Sequence, residues 1–213
     1  MMKKLLAILL LILTVSFTQA QNNPQAAKLL NQLTTKLKSY KNIQAEFKYS
    51  LVNTKAGVKS ETKGKVFTEG TKFHANYMGI DDIYDGVKRY QIVHENEEVN
   101  ISNHKDDDEF TPDKIFTFYK NGYRQKMDIK QKIKGRTIQY IKLLPKNSKA
   151  PESYILLGID LHNKNIYNVI IKEKDGSNIT FEFTKFLTNQ VLPAKLFRFN
   201  KEKYKDYYIN NLD

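Results

Sequence analysis

The stretch Asn42-Ile43-Gln44-Ala45-Glu46-Phe47-Lys48-Tyr49-Ser50-Leu51 places Ile43, Ala45, Phe47, Tyr49 and Leu51 on one side of an alternating pattern. Asn42, Gln44, Glu46, Lys48 and Ser50 take the other side. A period of two with one apolar face reads as a half-buried strand of an antiparallel sheet. Immediately before it the period is different. From Pro24 to Tyr40, Leu29, Leu30, Leu33 and Leu37 recur at spacings of three to four, which predicts one amphipathic helix with Pro24 in its first turn.

Downstream, further strands follow at short intervals. Lys63–Thr68 and Lys72–Met78 flank the turn Glu69-Gly70-Thr71. Ile80–Tyr84 and Val87–His94 flank Asp85-Gly86, a hairpin signal in which Gly supplies the positive φ the turn requires. Glu97–Ser102, Tyr123–Ile129, Thr137–Leu144, Tyr154–Asp160, Ile166–Lys174 and Asn178–Phe186 continue the series, and a short strand is expected around Tyr207-Tyr208-Ile209. One helix is expected to interrupt it, with Thr111 as N-cap, Pro112 at its first position and Gly122 as its stop. The fold class expected is therefore mainly β with helices: about ten or eleven antiparallel strands, covered by an N-terminal helix and a short mid-chain one. So long a sheet must curl or close. A curled sheet lined with aromatics under two helices suits an apolar ligand site; the same pattern also fits a fully packed core.

Met1 to Ala20, MMKKLLAILLLILTVSFTQA, pairs Lys3 and Lys4 with an apolar run too short to span a bilayer and a small-x-small site at Thr18-Gln19-Ala20. It reads as a signal peptide, residues 1–20, cleaved after Ala20. A single domain over residues 21–213 follows, in an envelope compartment such as a periplasm. The whole chain of 213 residues carries 35 Lys and Arg against 23 Asp and Glu, a net charge of +12; losing Lys3 and Lys4 leaves +10. Arg, the residue suited to bidentate phosphate contacts, occurs only at positions 89, 124, 136 and 198. An exported chain meets little nucleic acid, so the excess Lys reads as a solvated surface and no nucleic-acid partner is expected. With no Cys, disulfides, zinc–thiolate sites, lipobox acylation and Cys nucleophiles are excluded.

Catalytic and metal signals are weak. His74, His94, His104 and His162 show no ligand spacing, and Asp106-Asp107-Asp108-Glu109 lacks the alternating ligands and turn Gly of a calcium loop. Asp81 and Asp82, adjacent on a strand, must point to opposite faces and cannot act on one bond. No G-x-S-x-G, S-x-x-K or H-E-x-x-H motif occurs. No enzyme activity, cofactor or metal is expected.

The order of elements resembles the LolA-like carriers of outer-membrane lipoproteins. The resemblance rests on Ser39-Tyr40-Lys41-Asn42-Ile43-Gln44-Ala45-Glu46-Phe47, Gly64-Lys65-Val66-Phe67, Tyr84-Asp85-Gly86 with Tyr90, Thr111-Pro112-Asp113-Lys114-Ile115-Phe116, and Leu192-Pro193 with Leu196-Phe197 and Phe199. It implies an unclosed antiparallel β-barrel with a lid of helices over a hydrophobic cavity. It implies a monomeric periplasmic carrier that takes acylated lipoproteins from an inner-membrane ABC transporter to an outer-membrane acceptor. On this reading Phe47, Tyr49, Leu51, Phe67, Phe73, Tyr77 and Tyr90 line the cavity, and Ile115, Phe116, Phe118 and Tyr119 form the lid. The chain departs from the family in two ways. Glu69-Gly70-Thr71 stands where relatives carry Arg-Pro, and Trp is absent, with Phe67 and Tyr90 in the expected places. The alternatives are a sensor or binding protein for another lipid or glycolipid, or a lipid-acting hydrolase.

Overall fold

A computed structural model describes residues 23–103 and 112–212. The helix α1, Pro24–Lys38, opens on Asn23, whose side-chain oxygen accepts from the backbone N–H groups of Gln25 and Ala26 at 2.9 and 3.1 Å. Pro24 costs nothing here because its missing N–H falls among the unpaired donors of the first turn. Lys36 and Lys38 in the last turn complement the negative end of the helix dipole. Leu29, Leu30, Leu33 and Leu37 are buried against the sheet, as their spacing requires.

Among the described residues twelve strands form one sheet. In chain order they are β1 Asn42–Asn53, β2 Val58–Glu69, β3 Lys72–Tyr77, β4 Ile80–Tyr84, β5 Lys88–Val93, β6 Glu98–Asn103, β7 Tyr123–Ile133, β8 Arg136–Pro145, β9 Glu152–Asp160, β10 Ile166–Glu173, β11 Asn178–Thr188 and β12 Tyr208–Asn211. The spatial order is β12-β6-β5-β4-β3-β2-β1-β11-β10-β9-β8-β7. Two meanders, β1 to β6 and β7 to β11, are thus joined where β1 pairs with β11, and the sheet is not closed into a barrel.

The strand count exceeds the ten or eleven expected, and not every pair is antiparallel: β12 runs parallel to β6, with Ile209 opposite Val99. The tail after β11 crosses the sheet before it meets that edge, so it arrives in the same direction as β6. The mid-chain helix differs too. Its described part is two short 3₁₀ turns, Pro112–Phe116 and Phe118–Lys120, broken at Thr117 with φ −134°; the expected N-cap, Thr111, lies outside the described residues, as do His104 and the acidic run 106–109. Ile115, Phe116, Thr117, Phe118 and Tyr119 are all β-branched or aromatic, a run that crowds an α-helical turn and favours short 3₁₀ pieces.

Register assigns the two faces. On the helix face Phe47 stands opposite Gly64 and Phe183, Gly64 opposite Tyr77, and Val66 opposite Ala75. This face carries α1, the two 3₁₀ turns and the main apolar core. The other face, here the tail face, holds Ile83, Ile92 and Val99, which pack with Tyr204, Phe199 and Tyr207 of the C-terminal tail.

Candidate functional site: an apolar cavity on the helix face

A cavity of about 200 Å³ lies on the helix face between the sheet and the first 3₁₀ turn. Each strand contributes by alternation: β1 supplies Phe47 and Tyr49, β2 Val66, β3 Ala75 and Tyr77, and β11 Phe181. Ile115 of the 3₁₀ turn closes it from above, and Met78 in the β3–β4 turn, 56% exposed, stands at its mouth.

The wall is aromatic and interlocked. Phe47 meets Phe181 at 5.9 Å and Phe183 at 6.3 Å between ring centroids, and Tyr49 meets Phe181 edge-on at 5.3 Å. These separations and tilts are those that aromatic quadrupoles prefer. Burial, with a smaller contribution from the Glu173 carboxylate, pushes the Tyr49 phenol above its usual pKa, so it stays neutral.

Toward β4 and β5 the wall ends in a buried polar knot. Arg89 donates to both oxygens of Asp82, Nε to Oδ1 at 2.9 Å and Nη2 to Oδ2 at 2.7 Å. Tyr77, itself a cavity residue, donates its hydroxyl to Asp82 Oδ2 at 3.2 Å. Asp82 is fully buried and Arg89 nearly so. A bidentate, doubly buried pair holds its charges only because each satisfies the other.

The covering segment is fastened by its own aromatics. Phe116 stacks on Phe183 at 5.7 Å and meets Phe186 edge-on at 5.9 Å. Phe118 packs edge-on against Tyr119 and Tyr123. Tyr119 is fully buried, and its hydroxyl is paired with Thr34 Oγ1 on α1 at 3.1 Å.

Of the residues that sequence reasoning placed in the cavity, Phe47, Tyr49 and Tyr77 line it, joined by Ile115 from the covering segment. Leu51 shares their strand face, opposite Ile179, but lies beyond the cavity. Phe73 is on the helix face, fully buried against Tyr84 at 5.9 Å, and packs without lining the space. Phe67 and Tyr90 are on the tail face: Phe67 beside His74, and Tyr90 stacked on Phe199 at 4.7 Å. One residue of offset decides this, because Val66 and Arg89, their neighbours, face the helix side.

Sequence reasoning missed Val66, Ala75, Met78 and Phe181. The signal for Phe181 lay in Phe181-x-Phe183, whose alternation matches Phe47-x-Tyr49 once β1 and β11 are paired.

A second cluster of titratable groups lies away from this cavity. Asp81 is on the tail face, where its carboxylate meets His74 Nε2 at 3.4 Å and His94 Nε2 at 2.9 Å and accepts from Asn76 at 2.9 Å. Hydrogen bonding to His74, then to Asn76 and His94, holds the Asp81 carboxyl well below the usual carboxylate range against the opposing effect of partial burial. His74 Nδ1 also meets the Leu196 carbonyl at 3.0 Å and His94 Nδ1 the Tyr207 hydroxyl at 3.3 Å, so the cluster fastens the tail. Asp81 and Asp82 do face opposite ways, one to the histidines and one to Arg89.

An aromatic, nearly uncharged cavity under a small cover on an unclosed sheet is the geometry that the sequence resemblance implied. A family model described as outer membrane lipoprotein carrier protein LolA matches residues 38–200. The chain belongs to the LolA family. No curated protein matches this LolA-family chain in sequence. Its fold is similar to that of an uncharacterized conserved protein from Thermus thermophilus, with TM-score 0.60 and 10% identity over 88% of this chain and 99% of the other. Lipoprotein LppX from Mycobacterium tuberculosis is similar with TM-score 0.50 and 12% identity, over 81% of this chain and 99% of the other. A putative outer membrane lipoprotein-sorting protein domain from Vibrio parahaemolyticus matches at TM-score 0.48 and 11% identity, over 85% and 98% of the two chains. At such identities the first two bear on the fold of this LolA-family chain alone. No helix of the described residues is long and apolar enough to cross a membrane.

Proposed function

We propose that this chain is a carrier of acyl chains in the cell envelope. It would take lipoproteins from an inner-membrane ABC transporter and shield their acyl chains during transfer to the outer membrane. The observation that carries this is the cavity between Phe47, Tyr49, Tyr77 and Phe181 under Ile115, on a chain of the LolA family. The N-terminal segment Met1 to Ala20, read as an export signal, supplies the compartment.

The energetics suit a carrier. Burial of acyl chain gains about 0.8 kcal/mol per CH₂, so affinity comes from apolar area and needs no specific polar contact. About 200 Å³ is less than the ~300–1,000 Å³ of ordinary ligand sites, so cargo entry requires the covering turn to lift. The covering segment is short, and its described fastenings include ring stacking of Phe116 and the Tyr119–Thr34 hydroxyl pair, contacts that can break and re-form. Loading therefore exchanges the apolar contacts of Ile115 for contacts with cargo methylenes, so part of the burial lost at the cover is regained on the cargo, which also permits release.

Native mass spectrometry of protein purified from the envelope tests the reading. Acylated peptide bound to the chain is the expected result. Free phospholipid or glycolipid alone would convert the reading to a carrier of that lipid. An empty chain that also fails to bind a hydrophobic dye would overturn it.

A further inference from the structure

The covering turn separates two chambers. Ile115 faces the apolar cavity, and the next residue, Phe116, faces a groove of about 250 Å³ at the C-terminal end of α1. Both chambers lie along one face of β1: the groove at Ile43, the cavity at Phe47 and Tyr49. Four residues of strand put Ile43 about 13 Å from Phe47, with buried Ala45 between them on the same face.

The two chambers differ in chemistry. The groove has an apolar floor of Leu37, Ile43 and Phe116 and a rim that includes Lys38, Lys41 and Lys120, with no carboxylate among its described lining residues. The three lysines come from three separate elements: the end of α1, the link to β1, and the second 3₁₀ turn. Among the described residues none of them takes part in an ion pair. Partial burial and then the neighbouring Lys38 ammonium lower the affinity of Lys120 for its proton, so like charges are held close, with no carboxylate among the described lining residues beside them. Elsewhere Lys65, Lys134 and Lys185 do reach carboxylates.

We propose that this groove takes the anionic headgroup, carboxylate or phosphate, of an amphiphile whose chain occupies the cavity behind Ile115. The inference rests on the acyl-carrier part of that reading and extends its cargo to an acidic lipid, since the acylated cysteine of a lipoprotein bears neither a carboxylate nor a phosphate. An anion there meets three ammonium groups over an apolar floor, and its chain continues along β1 toward Phe47 once the covering turn lifts.

The test compares palmitate with methyl palmitate, of equal chain length and without charge, by displacement of a hydrophobic dye from the full chain. It uses the wild type and the triple variant Lys38→Gln, Lys41→Gln, Lys120→Gln, all three exposed and so replaceable without loss of the fold. Palmitate is expected to bind the wild type at least about tenfold tighter than the ester, an advantage that disappears in the variant while ester binding is unchanged. Equal binding of acid and ester by the wild type, or an advantage that survives in the variant, overturns the inference and leaves the carrier intact. Displacement by neither ligand overturns the carrier reading itself. Hexadecyl phosphate and inorganic phosphate separate the sources of the anion. If inorganic phosphate alone bound as tightly as the alkyl phosphate, the groove would be an anion site independent of the cavity, and the inference would fall.

Discussion

The ring of Phe47 lies directly over the bare backbone of Gly64. A Cβ at position 64 would stand 2.4 Å from Phe47 Cζ and 2.9 Å from the Asn76 carbonyl oxygen, both inside van der Waals contact. The strand pair places the two residues opposite each other, so the glycine is what lets an aromatic ring fold flat across β2 and form the cavity wall. Gly64→Ala is therefore expected to destabilise the protein by about 1–3 kcal/mol, the usual cost of overpacking. In a Phe47→Ala background the same change should cost less, because the ring clash is gone and only the Asn76 contact remains. Urea unfolding midpoints of the four proteins measure this coupling, and strict additivity would refute the contact.

The Asp82–Arg89 pair should behave as a unit. Asp82→Asn alone leaves a buried guanidinium with a neutral partner, and Arg89→Met leaves a buried carboxylate; each is expected to cost about 3–5 kcal/mol. The double replacement Asp82→Leu, Arg89→Met should recover a large part of that loss, since it removes both desolvated charges. Tyr77→Phe, which removes one hydroxyl from the knot, should cost only about 1 kcal/mol. Chemical denaturation at neutral pH gives all four values.

Much of this architecture was legible because one-sided burial leaves a periodic trace. The pattern Ile43, Ala45, Phe47, Tyr49 identified β1, and the leucines of α1 identified the helix, since each buries a single face. What was hidden lacked such a trace. The first half of β2, Val58 to Thr62, is exposed or nearly so on both sides and reads as loop, yet pairs fully with β1. The parallel pairing of β12 depends on a long return of the tail, which no local pattern encodes. The cavity was half legible. Composition identified aromatics as its material, but Phe67 and Tyr90 are also aromatic and serve the tail face. Which face each takes is fixed by register, and alternation within one strand does not say which side carries the helix.

Acid should loosen the tail-face cluster first. The Asp81 carboxyl titrates below its ordinary value in the folded chain, so the sign is that of a depressed acid. Its contribution is fully present above the unfolded-chain value of about 4 and declines as pH falls from there toward the lower folded value. The wild type is thus expected to lose stability on acidification below about pH 4 more steeply than Asp81→Asn, in which the group no longer titrates. Unfolding free energies at a series of pH values, compared as slopes, decide the point; parallel slopes would remove Asp81 from the account.

The hydroxyl pair between Tyr119 and Thr34 ties the covering segment to α1. Tyr119→Phe keeps the buried ring and removes the tie, at about 0.5–1.5 kcal/mol. If the segment must lift for cargo to enter, stopped-flow mixing with a hydrophobic dye should show faster uptake by the variant. Equal uptake rates would mean that entry does not pass this segment.

The two faces of the sheet should separate binding from stability. Met78 sits at the cavity mouth, is 56% exposed, and has φ 51°, a left-handed conformation that Asp tolerates better than Met. Met78→Asp should therefore leave unfolding midpoints nearly unchanged. It should weaken binding of a neutral acyl ligand at least about tenfold, since a carboxylate at the mouth must be desolvated by the entering chain. Tyr90→Leu should do the reverse. It breaks the stack on Phe199 and the hydroxyl bond to Asp85 at 3.2 Å, a loss of about 1–3 kcal/mol, but it faces away from the cavity and should leave acyl affinity untouched. A Tyr90→Leu protein that lost acyl binding in proportion to its stability would show that the tail face and the cavity are one cooperative unit, and the assignment of Tyr90 to packing alone would have to be abandoned.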